Sequence, residues 1–70
     1  MSNAITLWVV YDSPIDIPGW FVARKWLNET PTPELIQGKT LDELRSRLPK
    51  GLIRLERDSS DDPKIVETWI

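Results

Sequence analysis

The chain has 70 residues, with nine lysines and arginines against eleven aspartates and glutamates, for a net charge of −2. This length holds one domain with a thin core, and the acidic balance argues against direct binding of nucleic-acid phosphates. It contains no cysteine and no histidine, which excludes disulfides, Cys/His zinc sites, the commonest general base and the best protein nucleophile. We therefore expect a protein that is not an enzyme and holds no cofactor and no metal.

The first half of the chain reads as three strands. Residues 5–11 (ITLWVVY) are β-branched or aromatic and apolar on both faces, which predicts a central strand. An irregular loop with two prolines then leads to residues 20–27 (WFVARKWL), a second strand expected to pair antiparallel with the first. After the turn-rich residues 28–33, residues 34–38 (ELIQG) are a candidate short third strand.

The clearest local signal is a capped helix in residues 39–51 (KTLDELRSRLPKG). Thr40 followed three residues later by Glu43 is a capping box, in which side chains satisfy free backbone N–H groups at the helix start. Acids in the first turn and arginines in the last suit the helix dipole. Three leucines fall on one helical face, which predicts their burial: Leu41, Leu44 and Leu48.

Two further strands complete the predicted fold. Residues 52–56 (LIRLE) and 64–70 (KIVETWI) are the candidates. The sum is a single α+β domain over residues 1–70, ordered β-β-β-α-β-β, with one helix on one face of an antiparallel sheet. Residues 1–4 are expected to be flexible, and the oligomeric state stays open between monomer and homodimer.

Acidic side chains are the main candidate site. Three interpretations stay open: a Ca²⁺ or Mg²⁺ site, for which the spacing lacks the pattern of an EF-hand loop; a solvated turn; or an imitation of nucleic-acid phosphates presented to a basic protein surface. The residues are Glu56, Asp58, Asp61 and Asp62 on one connection, with Asp12 and Asp16 in the first loop.

Tryptophans are the second candidate, as core or as anchors for a protein partner. Trp8 is expected in the core. Trp20 and Trp26 share a strand face with Arg24 and are candidate apolar contacts for the partner. The alternative, stacking of Trp26 on a nucleic-acid base, is disfavoured by the net charge. Trp69 fits the core or an interface.

Three stretches resemble small proteins encoded by bacteriophages and prophages: LWVVYDSPIDIPGWFVARKW, GKTLDELRSRLP and DDPKIVETWI. Proteins of this size and acidity from such elements resemble the type I anti-CRISPR inhibitors, several of which bind the Cascade surveillance complex and block its access to target DNA. The resemblance implies an inhibitor in the bacterial cytoplasm that binds a Cascade subunit as a DNA mimic. It implies no contact with nucleic acid or membrane.

A second resemblance is to HicB-like antitoxins. It is carried by DIPGW (16–20) and IQGKTLDEL (36–44), where that family has a sheet feeding a capped helix. Lys39 stands where the family has an acid, the spacing between the two segments is longer, and no DNA-binding segment follows. The alternative function that this implies is an antitoxin or small adaptor acting by protein–protein binding.

Overall fold

A computed structural model of the chain describes residues 5–56 and 63–70. In this part the chain forms five strands and one helix: β1 (Thr6–Asp12), β2 (Phe21–Leu27), β3 (Thr30–Gly38), α1 (Leu41–Arg47), β4 (Arg54–Glu56) and β5 (Ile65–Trp69). The predicted flexible N-terminus and the acids at positions 58, 61 and 62 lie outside the described residues.

The strands form one antiparallel sheet in the order β3-β2-β1-β5-β4. The α+β prediction, its element order, the antiparallel β1–β2 pair and the central position of β1 are confirmed. Because β3 and β4 are the two edges, α1 belongs to a connection that crosses the sheet from one edge to the other. That crossing places the helix on a single face.

The core lies between α1 and the sheet face beneath it, which we call the helix face. Alternation along the strands puts Trp8, Val10 and Ala23 on this face, where they pack with Leu44 and Leu48 of the helix. Trp8 is therefore core, as predicted, and so are Leu44 and Leu48, with Leu41 partly buried against them. Trp69 also packs partly buried against this cluster.

Strand β3 begins at Thr30, four residues before its predicted start at Glu34. Pro31 and Pro33 argue against a strand in the sequence, but β3 is an edge, where positions whose N–H would face away from the sheet can hold proline without loss of a sheet hydrogen bond. The pairing with β2 shifts register between Arg24 and Trp26, opposite the proline-containing part. The long edge strand is thus a consequence of sheet position.

The helix starts where β3 ends, and the Thr40 half of the predicted capping box is confirmed, whereas the Glu43 side chain bonds one residue before the cap. The Glu43 backbone N–H donates to Thr40 Oγ1 at 3.1 Å, while Glu43 Oε2 accepts from the backbone N–H of Lys39 at 3.4 Å. Gly38 is buried directly against the helix, since a Cβ there would lie 2.8 Å from the Leu44 backbone nitrogen. The glycine therefore allows β3 to turn into α1 at close range.

Candidate functional site

The described acidic candidates lie at one end of the sheet, which we call the acidic end. Strands β1 and β4 finish there, at Asp12 and Glu56, and the loop of residues 13–20 that carries Asp16 connects β1 to β2 at the same end. The chain also leaves the described residues after Glu56 and returns at Pro63 beside this end. The fold thus brings three of the six predicted acids to the same end of the sheet, because β1 and β4 run in the same direction. The other three lie outside the described residues.

The acidic end is held by backbone and side-chain hydrogen bonds. The Asp12 N–H donates to the Lys64 carbonyl at 2.8 Å, and the Lys64 ammonium donates to the Ser13 carbonyl at 3.0 Å. Ser13 has a positive φ of 51°, and its hydroxyl accepts from the Gly19 N–H at 2.9 Å, which closes the loop. The loop therefore has a defined shape beside the start of β5.

The three carboxylates at this end have different environments. Asp16 forms an ion pair with Arg24, whose hydrogen bond holds the pKa of the Asp16 carboxyl below its ordinary value. The Glu56 side chain is 87% exposed and lies 4.0 Å from Arg54. Asp12 is exposed and forms no ion pair with any described residue. With β1 and β4 two strand spacings apart, about 10 Å, these acids present separated charges and not one chelating cluster.

The two candidate tryptophans lie far apart. Trp20 is half-buried at the acidic end, with the Lys39 ammonium 4.1 Å from its ring centroid, a cation–π contact. Trp26 lies six residues further along, about 20 Å away in an extended chain, and its buried indole N–H has no hydrogen-bond partner among the described residues. Only Trp20 therefore joins the acids.

The structure contains a buried carboxylate, Glu67, that was not among the residues predicted from the sequence. Glu67 is 1% exposed on the helix face. It receives hydrogen bonds from Arg45 and from the Trp69 indole, at 2.6 Å for the latter, and Arg54 lies 3.7 Å away. Burial raises the pKa of Glu67, but these donors and charges outweigh it and leave the pKa below its ordinary value. The signal was present in the sequence, because Glu67 alternates with two apolar residues, Ile65 and Trp69.

The other face of the sheet is mostly apolar, and beyond the end that residues 13–20 cover it is largely bare of described segments; we call it the open face. The loop of residues 13–20 lies at one end of it, where Asp16 reaches Arg24. At the opposite end, Ile5, Leu7 and Ile70 line an open hollow of about 660 Å³ beside the β2–β3 turn. The open face is defined by Leu7, Val9, Trp26, Leu35, Leu55 and Ile70.

Within residues 5–56 and 63–70, no three acidic side chains converge to hold a metal ion. None of the helices in the same residues is long and apolar enough to cross a membrane. Comparison of the chain with protein-family models, with curated proteins and with solved structures finds no match. The surfaces described above are therefore the basis for a functional proposal.

Proposed function

We propose that this protein is an inhibitor that binds another protein and places carboxylates on a basic, nucleic-acid-binding surface of that partner. The observation that carries the proposal is the gathering of Asp12, Asp16 and Glu56 at one end of the sheet. Three further candidate acids, Asp58, Asp61 and Asp62, follow Glu56 in the sequence and lie outside the described residues.

The distance between the carboxylates at the acidic end supports binding to an extended basic surface. Duplex DNA carries one phosphate charge per about 1.7 Å of axis, and a protein that grips it spreads lysines and arginines over a comparable length. Carboxylates about 10 Å apart on a sheet end suit such a surface better than they suit a single cation. Glu56 and Asp12 are exposed, so a partner can reach both side chains.

Trp20 supplies an apolar contact at the same end. It is half-buried and its ring contacts the Lys39 ammonium, so both burial and this contact restrict its side chain before a partner arrives. A preplaced aromatic ring loses little conformational entropy on binding, which is why such residues often dominate interface energies. The acidic end therefore combines carboxylates with one aromatic side chain, Trp20, that a partner can contact.

The partner we propose is a DNA-binding subunit of the type I Cascade complex, on the strength of the sequence resemblance. The test is a DNA gel-shift with purified Cascade and an excess of this protein. We expect target binding to fall as the inhibitor is added. Undiminished target binding would overturn the choice of Cascade.

A matched pair of charge reversals tests the surface separately. Glu56→Lys at the acidic end and Glu29→Lys in the turn at the opposite end change the net charge equally. We expect only the first to weaken inhibition, and the triple change of Asp58, Asp61 and Asp62 to lysine to weaken it further. Equal effects of Glu56→Lys and Glu29→Lys would rule out the acidic end as the contact.

A further inference from the structure

The open face is mostly apolar, although an antiparallel sheet with one solvated face usually carries polar side chains there. The strand register adds three polar residues to it, Arg24, Gln37 and Thr68. Leu7, Val9 and Trp26 are half-buried in its middle. Towards the edges, Leu35, Leu55 and Ile70 expose 38%, 45% and 41% of their surface. Such a contiguous apolar surface on a small protein marks an interaction site.

Charge does not oppose self-association through this face. The β-strands place one ionised side chain on it, Arg24, and that guanidinium is already paired with Asp16 of the same chain. Among the described strand residues, two copies brought face to face therefore meet no unpaired like charges, which otherwise cost several kcal/mol. The same strands offer a charged partner no unpaired charge on this face.

The area is sufficient for a second copy. Five strands about 4.8 Å apart, with three to nine residues each at about 3.4 Å per residue, span a flat face of about 500 Å². The end beside residues 13–20 is already covered, since Val22 there is fully buried. The relief of the side chains raises the accessible area of the remainder above its flat projection, so that two such faces together approach the roughly 1,000 Å² at which specific interfaces begin.

The sheet edges are poor alternatives for self-association. Edge strand β3 carries Pro31 and Pro33 and a register shift, both of which blunt an edge. The opposite edge, β4, has three residues, of which Arg54 and Glu56 are charged. Self-association therefore favours the face over the edges.

We propose that two copies of this chain pack open face to open face, as a two-fold sandwich of two sheets with α1 on each outer side. Sheets packed in this way lie about 10 Å apart and interdigitate their inner side chains. The arrangement gives a 70-residue chain a second apolar layer, which a small domain needs for stability. It leaves Asp12 and Glu56 outside the contact, because the strand register places both on the helix face, and it does not depend on the proposed inhibitory activity.

Sedimentation equilibrium on the full chain tests the proposal. We expect twice the 8.1 kDa chain mass and a melting temperature that rises with protein concentration, because a dimer is stabilised by mass action. A constant monomer mass up to high concentration, or a concentration-independent melting temperature, contradicts the dimer. Mass that grows without reaching a plateau also contradicts it.

Substitution of two equally exposed leucines, one on each face of the sheet, tests which face forms the interface. Leu35 on the open face and Leu27 on the helix face are both 38% exposed. Leu35→Glu puts a charge into the interface twice, and we expect dimerisation weakened by at least about tenfold. Leu27→Glu is the control and keeps the dimer. If both variants dissociate equally, or if only Leu27→Glu does, the open face is not the interface; circular dichroism confirms that each variant is folded.

Discussion

Arg45 of the helix and Glu67 of β5 form a two-point hydrogen-bonded ion pair, with Nε to Oε2 at 3.1 Å and Nη2 to Oε1 at 2.6 Å. Glu67 is almost fully buried, whereas the Arg45 side chain is 35% exposed. The planar guanidinium matches both carboxylate oxygens, which fixes direction as well as distance. This pair ties α1 to a strand that lies outside its main contacts with β2 and β3.

Arg45→Ala should lower the free energy of unfolding by about 2 kcal/mol, because Glu67 would stay buried with less compensation. The loss is smaller than for a fully buried pair, since Arg45 is partly solvated and Arg54 and Trp69 remain as partners. Urea unfolding measures it. The control is Arg47→Ala, which breaks a surface pair with Glu43 and should cost about 0.5 kcal/mol or less. Equal losses would contradict the special role of Glu67.

Stability should fall in acid. The pKa of Glu67 is lower in the folded chain than its ordinary value of 4.5. The stabilisation is therefore complete above about pH 4.5 and is lost as the pH falls through the folded-state pKa. Urea unfolding between pH 7 and pH 3 should show this decline, to which Asp16 contributes with the same sign.

Arg45→Ala should change this pH dependence. Without Arg45, burial raises the pKa of Glu67 with less opposition. The variant therefore loses most stability near neutral pH, and its deficit relative to the parent chain should shrink as Glu67 becomes protonated. A deficit that is independent of pH would mean that Arg45 acts through packing alone.

Gly38→Ala should destabilise the chain by about 1–3 kcal/mol, the usual cost of overpacking. The new Cβ would lie 2.8 Å from the Leu44 backbone nitrogen, and backbone cannot move aside as a flexible side chain does. Thermal unfolding measures the effect. Gly19→Asn is the control, because that site is open and asparagine tolerates its positive φ. An unchanged melting temperature for Gly38→Ala would contradict the close approach.

Thr40→Ala should cost about 1 kcal/mol, since the hydroxyl accepts the Glu43 N–H at the start of a seven-residue helix. Thr40→Ser keeps this acceptor and should restore most of the stability. The two variants are compared by urea unfolding. A serine variant as unstable as the alanine variant would indicate that the threonine methyl group, and not the cap, is responsible.

Local features were predictable because they depend on near neighbours in the chain. The Thr40–Glu43 cap and the leucine spacing placed α1, and the apolar segment of residues 5–11 placed Trp8 in the core. The ends of the strands were less predictable. Because of Pro31 and Pro33, the first half of β3 was not predicted to be a strand. Prolines are tolerated there only because β3 is an edge, which follows from strand order and not from the local sequence.

Of the candidate site, the sequence indicated the acids but not their arrangement. Asp12, Asp16 and Glu56 meet at one end of the sheet because β1 and β4 finish there, while Trp26 lies at the other end of β2. Glu67 was not among the predicted site residues, although its alternation with Ile65 and Trp69 indicated a buried position.

By itself, the sequence determined an α+β domain with one capped helix, apolar strands and no histidine or cysteine chemistry, because period, capping and composition are local properties. Tertiary structure decided the rest. The strand order placed α1 on one face only and left the other apolar face without it, and it brought Arg45 across 22 positions to the buried Glu67. These contacts join residues distant in the chain, and their energy depends on packing and desolvation that no short stretch encodes.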